Sequence, residues 1–180
     1  TLNYEIVVVC NSEDEDLRQY IVDHPNVNKY ALNSVNIGVP RAWNMGAQLA
    51  EGELLCYVSD DVRVGKKAIE KLCEVLDSEI DVAEVGPKGD NYLNGNPNGY
   101  VGIHRPEYAD VISGFLFVVR SNAFHEVGGF DIAYSPAGCE EVDFSFAIRN
   151  KGWKCKVVPN LDIIHNEYHG VSAHRTNIEY

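Results

Sequence analysis

Apolar residues fall along the chain in short runs divided by polar, Gly- and Asn-containing turns, and the spacing inside each run predicts its state. Tyr4–Cys10 is apolar at every position from Ile6 onward, the pattern of a strand buried on both faces as in a parallel sheet. Asn11 and Ser12 end that strand and can cap a helix over about 14–22, and the acids at 13 to 16 suit a helix N-terminus. Val27–Leu32 predicts a second, shorter strand. Pro40 sits well at the start of a helix over 42–50, which Gly52 stops, and Glu53–Val58 is a third strand. Lys66–Leu76 has apolar residues at 68, 69, 72, 75 and 76, a helical stripe, and Val82–Val85 is a fourth strand. This alternation of strand and helix predicts an α/β fold with a parallel sheet and right-handed crossovers. Ligands of such sheets sit at the carboxyl ends of the strands, where Asn11, Asn33 and Ser59–Asp61 fall.

The pattern changes in the middle of the chain. Gly86–Asp110 is rich in Gly, Asn and Pro and reads as a long loop, with room for a short strand near Tyr100–Ile103. A loop of that length suits a lid or binding loop and suits a surface insertion equally. Val111–Arg120 resumes as a strand starting at Ser113-Gly114, Asn122–Val127 as a short helix, and Gly128–Asp131 as a turn. Glu140–Lys151 reads as a helix stopped by Gly152. Trp153–Val158 and Leu161–His165 are two last extended segments, and 166–180 is a polar tail holding His169 and His174. No internal repeat and no second domain is visible.

Composition narrows the classes. The 180 residues suffice for one domain with a full core, and 45% hydrophobic with 23% charged residues is ordinary for a globular protein. Net charge is −12, which argues against a nucleic-acid binder while leaving room for a nucleotide whose phosphates a metal ion screens. The five cysteines form no CxxC pair, and Cys10 and Cys56 sit in apolar runs, so a reducing, cytoplasmic setting is expected rather than a disulfide scaffold. No apolar run approaches the ~20 residues of a membrane span. The chain opens almost directly on a strand, which fits a domain cut from a longer protein.

Against that frame a few residues stand out chemically. The run Leu54–Val58 drives into Ser59, Asp60 and Asp61. Two carboxylates at the end of a buried strand repel one another and lose water, and a divalent cation, Mn²⁺ or Mg²⁺, relieves both costs. An acidic turn after a strand fits the same residues equally well. Glu140, Glu141 and Asp143 crowd the first turn of a predicted helix. They complement the helix dipole, or one serves as a general base whose neighbours raise its affinity for a proton. His165 closes a strand-like run and is a candidate metal ligand. Arg41 and Asn44 lie one turn apart after Pro40, where Arg can grip a phosphate. Neither a dinucleotide-binding GxGxxG nor a P-loop is present.

Four features, taken in order, resemble the nucleotide-sugar-dependent glycosyltransferases of the GT-A fold, especially the large inverting family two. They are Val7–Asn11, the segment Asn36-Ile-Gly38 through Asn44-Met-Gly46 to Gly52, Val58–Asp61 in place of an Asp-x-Asp motif, and Gly128-Gly129-Phe130-Asp131 followed by Glu140–Asp143, Arg149, Gly152-Trp153 and His165. The resemblance spans Ile6 to His165 and implies one GT-A (Rossmann-like) α/β domain over 1–180, with a mixed, mainly parallel central sheet flanked by helices. A nucleotide-binding half would cover about 1–87 and an acceptor and catalytic half about 111–165. It implies roles as well. Val9, Asn11 and Asn33 would line the base pocket, with Arg41 and Asn44 near the nucleotide. Ser59 and Asp60 would face the ribose or metal, Gly114 would lie by the donor sugar, and Asp61 and His165 would hold Mn²⁺ or Mg²⁺. Glu141 aligns with the catalytic acid, flanked by Glu140 and Asp143. The expected partners are a nucleoside-diphosphate sugar and a hydroxyl-bearing acceptor such as a glycan. Ser59 stands where the family has its first Asp, Glu141 where it has Asp, and Asn33 where it has an acid. Those departures motivate an alternative, a binding module of the same fold without turnover. A nucleotidyltransferase is a third reading, but Asn11–Asp16 is acidic where a basic triphosphate loop is needed.

Overall fold

A computed structural model describes residues 2–166. His169 and His174 lie outside them. β1 (Val7–Cys10) and β2 (Lys29–Leu32) form a parallel pair in which Cys10 stands beside Leu32. Between them runs α1 (Glu15–Asp23), capped by Asp14, whose carboxylate accepts from the Leu17 N–H at 3.0 Å. The cap is therefore Asp14 and not Asn11 or Ser12: the Ser12 hydroxyl turns to the Asp14 N–H instead. α2 (Val39–Leu49) opens with Pro40 in its first turn, as expected.

The central sheet has the order β3-β10-β5-β11-β8, with β3 (Leu54–Val58), β5 (Val82–Gly86), β8 (Glu107–Ala109), β10 (Leu116–Arg120) and β11 (Lys154–Val157). It is mixed: β5 and β11 run parallel, while β10 lies antiparallel between β3 and β5 and β8 closes the edge antiparallel. Period-two alternation divides its two faces. On β10, Leu116 and Val118 join Leu72 and Leu76 of α3 (Ala68–Ser78), whereas Phe117 and Val119 join Phe124 of α4 (Ser121–Val127) and Phe144 of α5 (Glu140–Asn150). The second face is aromatic. Tyr57 stacks on Phe117 at 4.7 Å, with Trp43, Phe124, Phe130 and Phe144 packed around them.

Two expectations change. Gly86–Asp110 is not an unstructured loop. β6 (Gly89–Leu93) and β7 (Asn96–Tyr100) form a hairpin closed by Asn94 and Gly95, both at positive φ, followed by β8. Asn-Gly is the strongest two-residue hairpin signal, but the flanking strands are too polar to show an alternating pattern. The strand expected to start at Ser113-Gly114 begins at Leu116, and a separate short strand precedes it. β9 (Val111–Ile112) pairs with β6, the chain bends at 113–115, and β10 then enters the central sheet. A short strand β4 (Val62–Val64) pairs antiparallel with β12 (Ile163–His165), which brings residue 165 back beside the end of β3.

Candidate active site

The parallel register of β1 and β2 sets Asn11 and Asn33 side by side, and the Asn33 amide donates to Asn11 Oδ1 at 2.9 Å. Arg18 of α1, which the sequence reading missed, fastens both loops: its Nε donates to the Ser12 carbonyl at 2.9 Å and its Nη2 to the Asn33 carbonyl. Val9 lies half-buried one residue before the strand's end, next to α2 at Gly46. The start of α2 is held from outside. Gly38, at φ +82°, leaves 2.8 Å between its missing Cβ and the Pro136 carbonyl, which accepts from the Val39 N–H at 2.7 Å. Only glycine tolerates both the backbone angle and the approach. Arg41 is exposed on this first turn. Asn44 reaches across the fold. Its amide donates to the Phe130 carbonyl at 2.8 Å and accepts from the Phe130 N–H at 2.9 Å, so both polar atoms serve the Gly129–Phe130 turn.

At the end of β3 the chain turns tightly, with the Val62 N–H on the Ser59 carbonyl at 3.1 Å. Asp60 points to solvent. Asp61 points inward: its Oδ2 lies 3.3 Å from His165 Nε2, its side chain is 15% exposed, and its Oδ1 is buried with no hydrogen-bond partner. The β4–β12 ladder sets this pair, since Val62 stands opposite His165 and the Asn166 N–H binds the Asp61 carbonyl at 2.9 Å. The His165 ring stacks on Phe115 at 4.3 Å, and the Phe115 carbonyl accepts from the Ser59 N–H at 2.9 Å. Phe115 thus ties the acidic turn to the histidine, a link hidden in an apolar run.

Gly114, one residue earlier, faces the third cluster. A Cβ there would lie 3.4 Å from Glu141 Cβ and 3.1 Å from Trp43 Cη2. The acids of α5 separate by environment. Glu140 is 6% exposed and its carboxylate accepts from the Gly138 N–H, closing the helix start. Asp143 receives the Tyr134 hydroxyl at 3.4 Å, and its charge raises that phenol's pKa. Glu141 is half-buried against the 113–115 bend. Asp61, His165, Ser59 and Glu141 are therefore linked through two consecutive residues, Gly114 and Phe115, while the polar atoms of Asn44 and Glu140 bond to nearby backbone. A hollow of about 640 Å³ between Tyr108, Phe146, Arg149 and Trp153 holds none of these residues.

Among the described residues no three His, Cys, Asp or Glu side chains gather to hold a metal alone. The Asp61–His165 pair nevertheless fits a divalent cation completed by ligand oxygens. It offers a hard carboxylate and an imidazole, and a buried carboxylate oxygen without a partner is costly until a cation or donor meets it. No described helix is long and apolar enough to cross a membrane.

The family model described as glycosyl transferase family 2 matches residues 1–121. A probable N-acetylgalactosaminyltransferase 6 of Caenorhabditis elegans is 24% identical over 89% of this chain, and an N-acetylglucosaminyl-diphospho-decaprenol L-rhamnosyltransferase of Mycobacterium tuberculosis is 36% identical over 32% of it. The chain spans about a third of the first relative's length (32%) and a fifth of the second's (19%). Among solved structures, GalNAc-T7 with UDP, GalNAc and Mn²⁺ superposes with a TM-score of 0.71 at 20% identity, over 89% of this chain and 37% of that one. The mannosyltransferase PcManGT from Pyrobaculum calidifontis, with GDP-Man and Mn²⁺, gives 0.70 at 16% identity, over 95% and 50%. At that identity the likeness is one of fold.

Proposed function

This chain belongs to glycosyl transferase family 2 and has the GT-A fold, and from that premise we propose that it moves a sugar from a nucleoside-diphosphate donor to an acceptor hydroxyl, with inversion and with Mn²⁺ or Mg²⁺. The observation that carries the reading is the run 113–115. It joins the Asp61–His165 pair to Glu141, so a cation-suited acid and a candidate base share one end of the sheet. Val9, Asn11 and Asn33 flank the base, and the exposed Arg41 and Asp60 face the diphosphate and ribose side. Asp61 and His165 are the residues that would hold the cation, whose chemistry when bound is to neutralise the departing diphosphate. Glu141 accepts the acceptor hydroxyl's proton as that oxygen bonds to the anomeric carbon and the nucleoside diphosphate leaves from the opposite face. Gly114 lies by the donor sugar, and its missing side chain lets Trp43 and Glu141 pack close against the bend. Glu140 fixes the helix start that aims Glu141, and Asp143 holds Tyr134.

The test is release of nucleoside diphosphate from a panel of UDP- and GDP-sugars with Mn²⁺, with and without simple glycoside acceptors. Turnover by the wild type and its loss in Asp61→Ala and Glu141→Gln is the expected result. Undiminished turnover in Asp61→Ala sinks the metal assignment. Tight nucleotide-sugar binding without product under any metal returns the chain to the class of binding modules.

A further inference from the structure

The least expected charged group lies inside the sheet. Glu84 is 1% exposed at the middle of β5, between Val119 of β10 and Cys155 of β11. Simple strand alternation would turn it toward α3, because Val82 faces that side. Instead Val82 pairs with Lys154 and Glu84 with the next residue, Cys155, so β5 carries one extra residue at Ala83. Such a bulge re-aims a side chain, and Ala83 and Glu84 both face α5. There Glu84 Oε2 accepts from the Ser145 hydroxyl at 2.8 Å and the Cys155 thiol at 3.2 Å. The Ser145 hydroxyl has one proton. Spending it on Glu84 leaves its lone pairs for the Ile112 N–H, 3.2 Å away.

This chain of bonds runs to the site. Ile112 meets Ser145, and Gly114 meets Glu141 one helical turn earlier. Glu141 precedes Ser145 by four residues of helix, ~6 Å of rise, a distance that two residues of chain, reaching at most ~7 Å, can span. Fixing Ile112 on Ser145 therefore fixes Gly114 beside Glu141. Among the described residues, the other titratable groups acting on Glu84 are Glu141 of α5 and Cys155 of β11, and Arg149 and Asp110 act in turn on Cys155. Burial, seconded by the Glu141 charge, keeps Glu84 protonated up to about 7, against the opposing pull of its two hydrogen bonds.

We propose that Glu84 is a positioning residue: by orienting the Ser145 hydroxyl toward itself it makes that oxygen the acceptor for Ile112 and so holds the 112–115 segment in register with Glu141. Its consequence for turnover rests on the glycosyl-transfer reading; the register does not. The experiment measures amide exchange by NMR in the full chain and in Glu84→Ala, Ser145→Ala and Glu84→Gln. Exchange at 112–115 should quicken about tenfold or more in both Ala variants and return toward wild type in Glu84→Gln, whose amide oxygen still accepts from Ser145, while 7–10 and 29–32 stay unchanged. With a nucleotide sugar that the wild type turns over, kcat should fall about tenfold in the Ala variants with donor KM within about twofold, and Glu84→Gln should recover it. Exchange at 112–115 left at wild-type rates in both Ala variants, or raised evenly over the whole sheet, overturns the proposal. The milder Ser145→Ala keeps that outcome readable if Glu84→Ala unfolds. A local exchange response in a chain that turns over no nucleotide sugar supports the register and removes the catalytic reading beneath it.

Discussion

Glu84 makes the stability of this protein depend on pH in a direction unusual for a carboxyl. Burial pushes its pKa from 4.5 up to about 7 in the folded chain. Between those values the folded state keeps the proton and the unfolded state releases it, so unfolding is favoured as pH rises. The contribution is whole below the unfolded pKa and is lost by the time pH passes the folded one. At 1.36 kcal/mol per unit, the loss is about 3 kcal/mol. That is a large share of the ~5–15 kcal/mol that holds a typical domain together. Glu5 and Asp81 titrate lower than usual, each bonded to a neighbour, and act only at more acid pH. Urea unfolding at pH 5, 6, 7 and 8 measures the effect, with Glu84→Gln as the partner that keeps the shape and cannot ionise. Titrations of groups not coupled to Glu84 cancel in the difference. The variant should gain about 2 to 3 kcal/mol on the wild type between pH 5 and pH 8, mostly below pH 7. A difference constant within about 0.5 kcal/mol across the series would mean that Glu84 ionises as readily in the folded chain as in the unfolded one, and the upward shift attributed to its burial would fall.

Other changes read other parts of the molecule. Asn44→Ala removes two hydrogen bonds from the Phe130 backbone and should cost about 2 kcal/mol in urea unfolding while leaving UDP affinity, read by calorimetry, unchanged. Gly114→Val puts methyls where even a Cβ stands 3.1 Å from Trp43 and 3.4 Å from Glu141, and sugar transfer should fall about 100-fold with the circular dichroism spectrum unaltered. Mn²⁺ should raise the melting temperature of the wild type by binding its folded state and leave Asp61→Asn unmoved, and chelation should reverse the rise.

What could be read from the sequence follows from range. The apolar runs and their stops place Asn11, Asn33 and Asp61 at strand ends because the period of a run and the polarity of its last residues are local facts. The pairing of Asn11 with Asn33 then follows from the parallel register of β1 and β2. The Asn94-Gly95 hairpin was locally written too, but polar flanks concealed its strands. By contrast, Phe115 looks like one more apolar residue of Val111–Arg120. The pairing of β9 with β6 breaks the strand there, and the return of β12 beside β4 lays His165 on Phe115. Asn44 looks like part of a nucleotide motif until Phe130 arrives from far along the chain. Glu84 sits inside a predicted strand whose bulge no periodicity reveals, because the extra residue is defined only against β11. Candidate ligand-facing residues can thus be nominated by type and position. Those that hold the two ends of the site together (Phe115, Ser145, Asn44 and Glu84) are of common types, and their work is fixed by contacts across the sheet. It follows that the departures at Ser59 and Glu141 are best judged by the 113–115 bend between them. If Glu84 and Ser145 hold that bend, the longer arm of Glu141 has a fixed wall to be aimed against, and a glutamate can stand where a shorter acid would otherwise be needed.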